Sequence, residues 1–313
     1  MSPIRKNINK TDNFLFDNLM GSVDDVFYNS FDRTWAKVPE GQEDPSRFWT
    51  KLPIEVADDD GTVEYQYNND FFRCDDFSTK HNNPHILFAG CSQTEGVGAP
   101  LETIWPKVLL NNINKDKGFD SKFYNIAKSG YGWQKIIATY MVYIEKYGIP
   151  EYLFVLLPNL GRFFEWDDET DSYRYVQRYP NGGGVSTDQL DEEKVPDFLL
   201  IERPLSKQEH RKCFIDFSIS WKLFEKYCES IGTKLLWGSW DYEENKNYKL
   251  ANLTKNYIDL TDDEFVEFVT KQRPDGRLGE FDLSRRDGHA GILINEYWAS
   301  KFYEEIKNRG WLQ

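Results

Sequence analysis

The sequence lacks any apolar run approaching the roughly 20 residues needed to span a bilayer, and Met1 to Met20 carries no continuous apolar stretch of the kind that leads a secreted chain. The expectation is a soluble protein, cytoplasmic by default, with no membrane partner. Cysteine is scarce. Cys74, Cys91, Cys213 and Cys228 show neither CxxC spacing nor the density of a disulfide scaffold, so reduced thiols are expected. Positive charge is in deficit as well. With 38 Lys and Arg against 52 Asp and Glu, the chain carries a formal charge of −14 and a pI near 4.9. A phosphate backbone or an anionic surface would be repelled, which argues against nucleic acid. What the chain has in quantity is aromatic surface: 22 Phe, 18 Tyr and 10 Trp, far too many for a disordered acidic tail. At 313 residues it can bury a full core, read here as one core with additions.

Residues 1–84 are rich in Asp, Asn and aromatics with little helical periodicity, although Val63 to Tyr67 alternates as a half-buried strand would. This stretch reads as an N-terminal extension packed on the core, able to attach the protein to a larger assembly. From His85 the character changes. Ile86-Leu87-Phe88-Ala89, ending at Gly90, suits a strand buried on both faces. Phe123 to Ile126, Tyr152 to Leu157, Lys234 to Gly238 and Tyr257 to Leu260 read as four further strands. Helical spacing links them: Trp105, Val108, Leu109 and Ile113 behind Pro106; Ile136, Ile137, Tyr140, Met141 and Ile144; Ile215, Ile219, Leu223 and Tyr227; and a closing helix on Ile294, Trp298, Phe302 and Ile306. Residues of about 160–210 are polar and acidic around Gly182-Gly183-Gly184, and read as an inserted loop or lid. Strands alternating with helices predict an α/β fold with a mostly parallel five-stranded sheet covered on both faces, over residues 85–313.

In such sheets ligands bind beyond the carboxyl ends of the strands, so the chemistry is sought there. After the first strand comes Gly90-Cys91-Ser92-Gln93-Thr94-Glu95-Gly96, a turn that presents the Ser92 hydroxyl. A tight turn or an amide cradle for phosphate would also explain its glycines. No Lys-Ser or Lys-Thr follows the last glycine, and GxGxxG is not matched, so nucleotide binding loses support. The second strand leads into Asn125-Ile126-Ala127-Lys128-Ser129-Gly130, and the third into Pro158-Asn159, whose amide could donate to a developing oxyanion or simply cap a turn. Asp287-Gly288-His289 precedes the closing helix and supplies a base with an orienting carboxylate. His81, His85 and His210 lie outside these turns and read as surface or packing residues.

Together, and in this order, the four turns resemble the conserved blocks of the SGNH/GDSL hydrolase superfamily from about His85 to Gln313. Gly90, Ser92, Thr94 and Gly96 match the first block, with Cys91 in place of its usual Asp. Asn125 to Gly130 match the second. Asn159 falls on the oxyanion asparagine of the third, although Leu157 and Leu160 replace its Gly and Asp. In the fourth, Arg286 stands where the family places Asp, and Asp287 lies two before His289 as in the DxH arrangement of SGNH-like acyltransferases.

The resemblance implies a flavodoxin-like three-layer α/β/α fold and a serine acyl-enzyme mechanism, with no metal and no organic cofactor. It assigns Ser92, Asp287 and His289 as the catalytic triad, and Ser92, Gly130 and Asn159 to the oxyanion hole. The substrate expected is a short acyl ester, such as an acetate, on a carbohydrate or similar neutral molecule, with the aromatics Phe163, Phe164, Trp166, Tyr173 and Tyr175 as a sugar platform or as packing for the insertion. Three rival readings stay open: an O-acyltransferase with the same triad, a non-catalytic binding or structural module, and a cysteine nucleophile at Cys91.

Overall fold

The computed structural model describes residues 66–97, 99–167, 172–177, 207–241, 248–265, 267 and 289–311. Its strands are β1 (Ile86–Gly90), β2 (Tyr124–Asn125), β3 (Tyr152–Leu157), β4 (Arg162–Asp167), β5 (Ser172–Gln177), β6 (Lys234–Ser239) and β7 (Tyr257–Ile258). Its helices are α1 (Ser92–Glu95), α2 (Trp105–Lys117), α3 (Trp133–Tyr147), α4 (Lys207–Ser230) and α5 (Ile292–Asn308). Five of the strands form one parallel sheet in the order β2-β1-β3-β6-β7. This is the expected five-stranded α/β architecture, and its order is the one found in flavodoxin-like sheets.

Side-chain alternation divides the core into two layers. Ile86 and Phe88 of β1, Tyr152, Phe154 and Leu156 of β3 and Leu236 of β6 pack with Trp105, Leu109 and Ile113 of α2 and with Ile294, Trp298, Phe302 and Ile306 of α5. The alternate residues Leu87, Ala89, Leu153, Val155, Leu157, Leu235 and Trp237 pack with Ile136, Tyr140 and Tyr143 of α3 and with Phe217, Trp221 and Phe224 of α4. Burial on both faces is why these strands read as unbroken apolar runs. Trp105 stacks on Phe302 with centroids 4.8 Å apart, joining α2 to α5. Each such aromatic contributes about 1.5–3 kcal/mol through the area it removes from water.

Two expectations are corrected. The stripe expected to seat α4 is not its buried face: Ile215, Ile219 and Leu223 are exposed, while Phe217, Trp221, Phe224 and Cys228 are buried. Both sets recur at helical spacing, and burying the aromatic set removes more apolar area from water. The stretch 160–210 is not all loop. It holds the antiparallel pair β4 and β5, with Phe164 opposite Tyr175 and Trp166 opposite Tyr173. The alternation read at Val63 to Tyr67 falls mostly outside the described residues; Gln66 and Tyr67 themselves are not in a strand.

The segment before β1 is bound into the core through two neighbouring residues. Phe72 is fully buried against the α3 side of the sheet, and Arg73 is 1% exposed. His81 and His85 are packing residues, with rings stacked at 3.7 Å and His85 Nε2 bonded to the Tyr143 hydroxyl at 2.7 Å. His210 meets the Tyr248 hydroxyl. Among the described residues, no helix is long and apolar enough to cross a membrane.

Candidate active site

The order of the sheet reverses at β1, whose neighbours β2 and β3 lead away in opposite directions, and the crevice outside the carboxyl ends at such a point is the expected ligand site. Ser92 sits there as the first residue of α1 and is 7% exposed. The turn needs glycine at position 90, because a Cβ there would lie 2.8 Å from the Leu156 carbonyl oxygen on the neighbouring strand. Cys91 continues the β1 alternation into the α3 side of the core and is fully buried, which removes its thiol from the crevice. Trp105 Nε1 donates to Thr94 Oγ1 at 3.3 Å, holding the turn from the α2 side.

The carbonyls at the end of α1 are satisfied by Arg73. Its Nη1 donates to the oxygens of Glu95 at 3.2 Å and Gly96 at 2.5 Å, and its Nη2 to that of Ala99 at 2.8 Å. A helix of four residues cannot satisfy its own last carbonyls, so the guanidinium fork takes the place of a further turn.

The loop after β2 is tied to the same turn at both of its ends. Asn125 Nδ2 donates to the Thr94 carbonyl at 2.9 Å, and its Oδ1 accepts from the Ala127 amide at 3.0 Å. Further along, the buried Glu95 carboxylate accepts from the Ser129 amide at 2.6 Å and the Ser129 hydroxyl at 2.5 Å. Lys128 lies 4.9 Å over the Phe72 ring; burial pulls its amine down to about 8, opposed by the charge of Glu95. Gly130 has φ +83°, the left-handed region, which explains glycine at this position.

Beyond β3, Asn159 is 3% exposed and its amide is fixed at both ends. Its Oδ1 accepts from the Gly161 amide at 2.7 Å and its Nδ2 donates to Asp241 Oδ2 at 2.8 Å. An amide nitrogen has two hydrogens, so this bond orients the group while leaving a second donor.

His289 is half-buried, directly before α5. It is not hydrogen-bonded to Ser92; the tie between their segments runs through their neighbours, the Ala290 amide donating to Gln93 Oε1 at 2.8 Å. Asn295 completes this arrangement. Its Nδ2 donates to the carbonyls of Ala290 at 3.0 Å and Gly291 at 2.8 Å, and its Oδ1 accepts from the Trp105 amide at 2.8 Å. Asp287 lies outside the described residues. Among the described residues, no group of three acidic, histidine or cysteine side chains could hold a metal ion.

Sequence reasoning missed Arg73, Gln93, Glu95, Asp241 and Asn295. Of these, Asp241 alone carries a sequence signal, since it is an acidic residue just past the carboxyl end of β6, where ligands of such sheets bind. The other four act on main-chain groups or at long range, which no local pattern reports.

No protein-family model matches the sequence, and no curated protein matches it either. Among solved structures, similarity is found to an acetyl xylan esterase, AlAXEase, at 13% identity and TM-score 0.41, covering 71% of this chain and 98% of that one. It is found also to a catalytic mutant of an acetylxylan esterase from Geobacillus stearothermophilus, at 11% identity and TM-score 0.42, covering 74% and 95%. A third is a lipolytic G-D-S-L family member from Veillonella parvula, at 12% identity and TM-score 0.38, covering 71% and 97%.

Proposed function

We propose that the chain is a serine-dependent ester hydrolase that removes a short acyl group, such as acetate, from a carbohydrate or similar neutral substrate. The observation that carries it is the 2.8 Å bond between Gln93 and Ala290, which brings the segment of the sole crevice imidazole candidate, His289, to the turn bearing Ser92.

In the proposed reaction His289 takes the Ser92 proton as Ser92 Oγ attacks the ester carbonyl. The developing oxyanion accepts hydrogen bonds from the amides of Ser92 and Gly130 and from the free N–H of Asn159. His289 returns the proton to the departing alcohol, and water then releases the acid from the acyl-enzyme. Asp287 would hold the imidazole in the required tautomer. The register of β4 and β5 supports the carbohydrate substrate. Phe164 and Trp166 of β4 and their partners Tyr175 and Tyr173 of β5 occupy positions on one face of that ribbon, which begins shortly after Asn159, and aromatic faces stack on sugar rings.

The test is hydrolysis of p-nitrophenyl acetate together with labelling by a serine-directed fluorophosphonate. Wild type should do both, and Ser92→Ala neither. A wild type inert to both reagents overturns the esterase reading in favour of a binding module. The spacing of Asp287 and His289 favours a second reading, acyl transfer to a sugar hydroxyl, which would yield an acylated glycan when donor and acceptor are supplied together.

A further inference from the structure

We propose that Glu95 is a positioning residue, a buried carboxylate that sets the placement of the Gly130 amide as an oxyanion donor; the proposal rests on the esterase reading above. Glu95 is the last residue of α1 and is 6% exposed. A carboxylate withdrawn from water is costly unless it is well bonded, so its partners indicate what it is held for. One oxygen, Oε2, accepts from both the amide and the hydroxyl of Ser129, at 2.6 and 2.5 Å. The other accepts from the Tyr67 hydroxyl at 3.4 Å.

Packing holds the flanks of this loop, where Ala127, Lys128 and Tyr131 are buried, but not the turn at Gly130 itself. A Cβ built on Gly130 meets nothing within 4 Å, so the turn has open space on that side. Its internal support is the bond from the Tyr131 amide to the Lys128 carbonyl, at 3.1 Å. The charge-assisted bonds from Glu95 are the stronger restraint, and they act on the residue next to Gly130. Glu95 is itself fixed, because Arg73 donates to its carbonyl oxygen and α1 begins at Ser92. The nucleophile and the oxyanion amide are thereby held in one rigid piece. Lys128, buried beside them, supplies the neighbouring positive charge.

The experiment compares Glu95→Ala, Glu95→Gln and Glu95→Asp in the full chain, reading kcat and KM with p-nitrophenyl acetate and hydrogen exchange at the Ser129 amide. Glu95→Ala should lower kcat about 10- to 100-fold, the partial loss of one oxyanion donor, with KM changed less than about threefold. Exchange at the Ser129 amide should rise. Glu95→Gln keeps an acceptor oxygen in the Oε2 position and should recover most of the activity, which a role in bulk stability alone would not require. Should Glu95→Ala fail to fold, Glu95→Asp withdraws the carboxylate by one methylene while keeping its charge, and should show the same loss in kcat. A wild-type kcat in whichever of these two variants folds overturns the proposal. So does a Gln variant as impaired as Ala while its Ser129 amide stays protected, since charge and not placement would then matter. A wild type inert to the ester and to a fluorophosphonate removes the esterase reading and the positioning role with it, a failure visible before any variant is made.

Discussion

Gln93 and Ala290 are 197 residues apart in the chain, and the side-chain oxygen of one accepts the main-chain amide of the other at 2.8 Å. Gln93 adjoins Ser92 and Ala290 adjoins His289, so this bond ties together the segments that carry the two proposed reacting groups. Gln93→Leu, similar in size but without an acceptor, should lower kcat about tenfold with little change in KM, because sub-ångström misplacement of a nucleophile from its base is costly. It should also cost about 1–3 kcal/mol of stability through the amide left unsatisfied. Steady-state kinetics and urea unfolding read the two effects. A kcat equal to that of wild type would separate the bond from the chemistry.

The bond between Asn159 and Asp241 leads to a graded expectation. Asn159→Ala removes the proposed oxyanion donor and should lower kcat about 100- to 1000-fold. Asp241→Ala leaves the donor present but removes the group that orients it, so its loss should be smaller, on the order of tenfold. The double variant should be no worse than Asn159→Ala, since Asp241 has nothing left to orient. Additive losses would show that Asp241 acts by another route.

Arg73 serves three carbonyls, those of Glu95, Gly96 and Ala99, at and beyond the end of α1. Arg73→Met keeps much of the side-chain volume and removes the guanidinium donor from all three carbonyls, of which that of Gly96 still accepts from the Ala99 amide at 3.2 Å. Each buried polar group so orphaned costs about 1–3 kcal/mol, and a total near 3 kcal/mol is expected where water reaches part of the site. Thermal or urea unfolding measures it. A stability within about 0.5 kcal/mol of wild type would mean the turn closes without the guanidinium.

At the opposite end of β1, burial pulls the His85 imidazole down to about 3 from an ordinary 6.5, with the nearby His81 adding in the same direction. His81 is itself lowered by burial; Lys122 acts in the same sense and Glu151 against it. The native protein therefore binds fewer protons here than the unfolded chain, and stability rises with pH across this interval. The contribution is fully present above about pH 6.5 and is lost as pH falls toward 3. At pH 4.5 the loss from His85 is ~2–3 kcal/mol. His85→Gln should flatten the dependence of the urea midpoint between pH 7 and 4.5, and an unchanged slope would place the acid sensitivity elsewhere.

The sheet was legible because its strands are buried on both faces: Ile86 to Ala89 and Tyr152 to Leu157 admit no solvent face that would break the apolar run. The closing helix was legible for the opposite reason, since Ile294, Trp298, Phe302 and Ile306 form its only buried stripe of large apolar residues. In α4 two stripes compete, and periodicity alone cannot say which faces the sheet. Glycine-bounded turns gave away the positions of Ser92 and Gly130. What holds those turns could not be read in advance, because Arg73, Gln93 and Asn295 bond to main-chain atoms that every residue carries.

Cys91 and Ser92 stand side by side, and the strand's alternation sends the first into the core while the second begins the helix at the crevice. On the proposed chemistry, the reacting group is thereby an oxygen that peroxide leaves alone, and the adjacent sulfur is sealed from it. Activity should then survive treatment with hydrogen peroxide or iodoacetamide under native conditions, as measured by residual ester hydrolysis. The frame of a single strand would in that case decide whether the protein is sensitive to redox conditions.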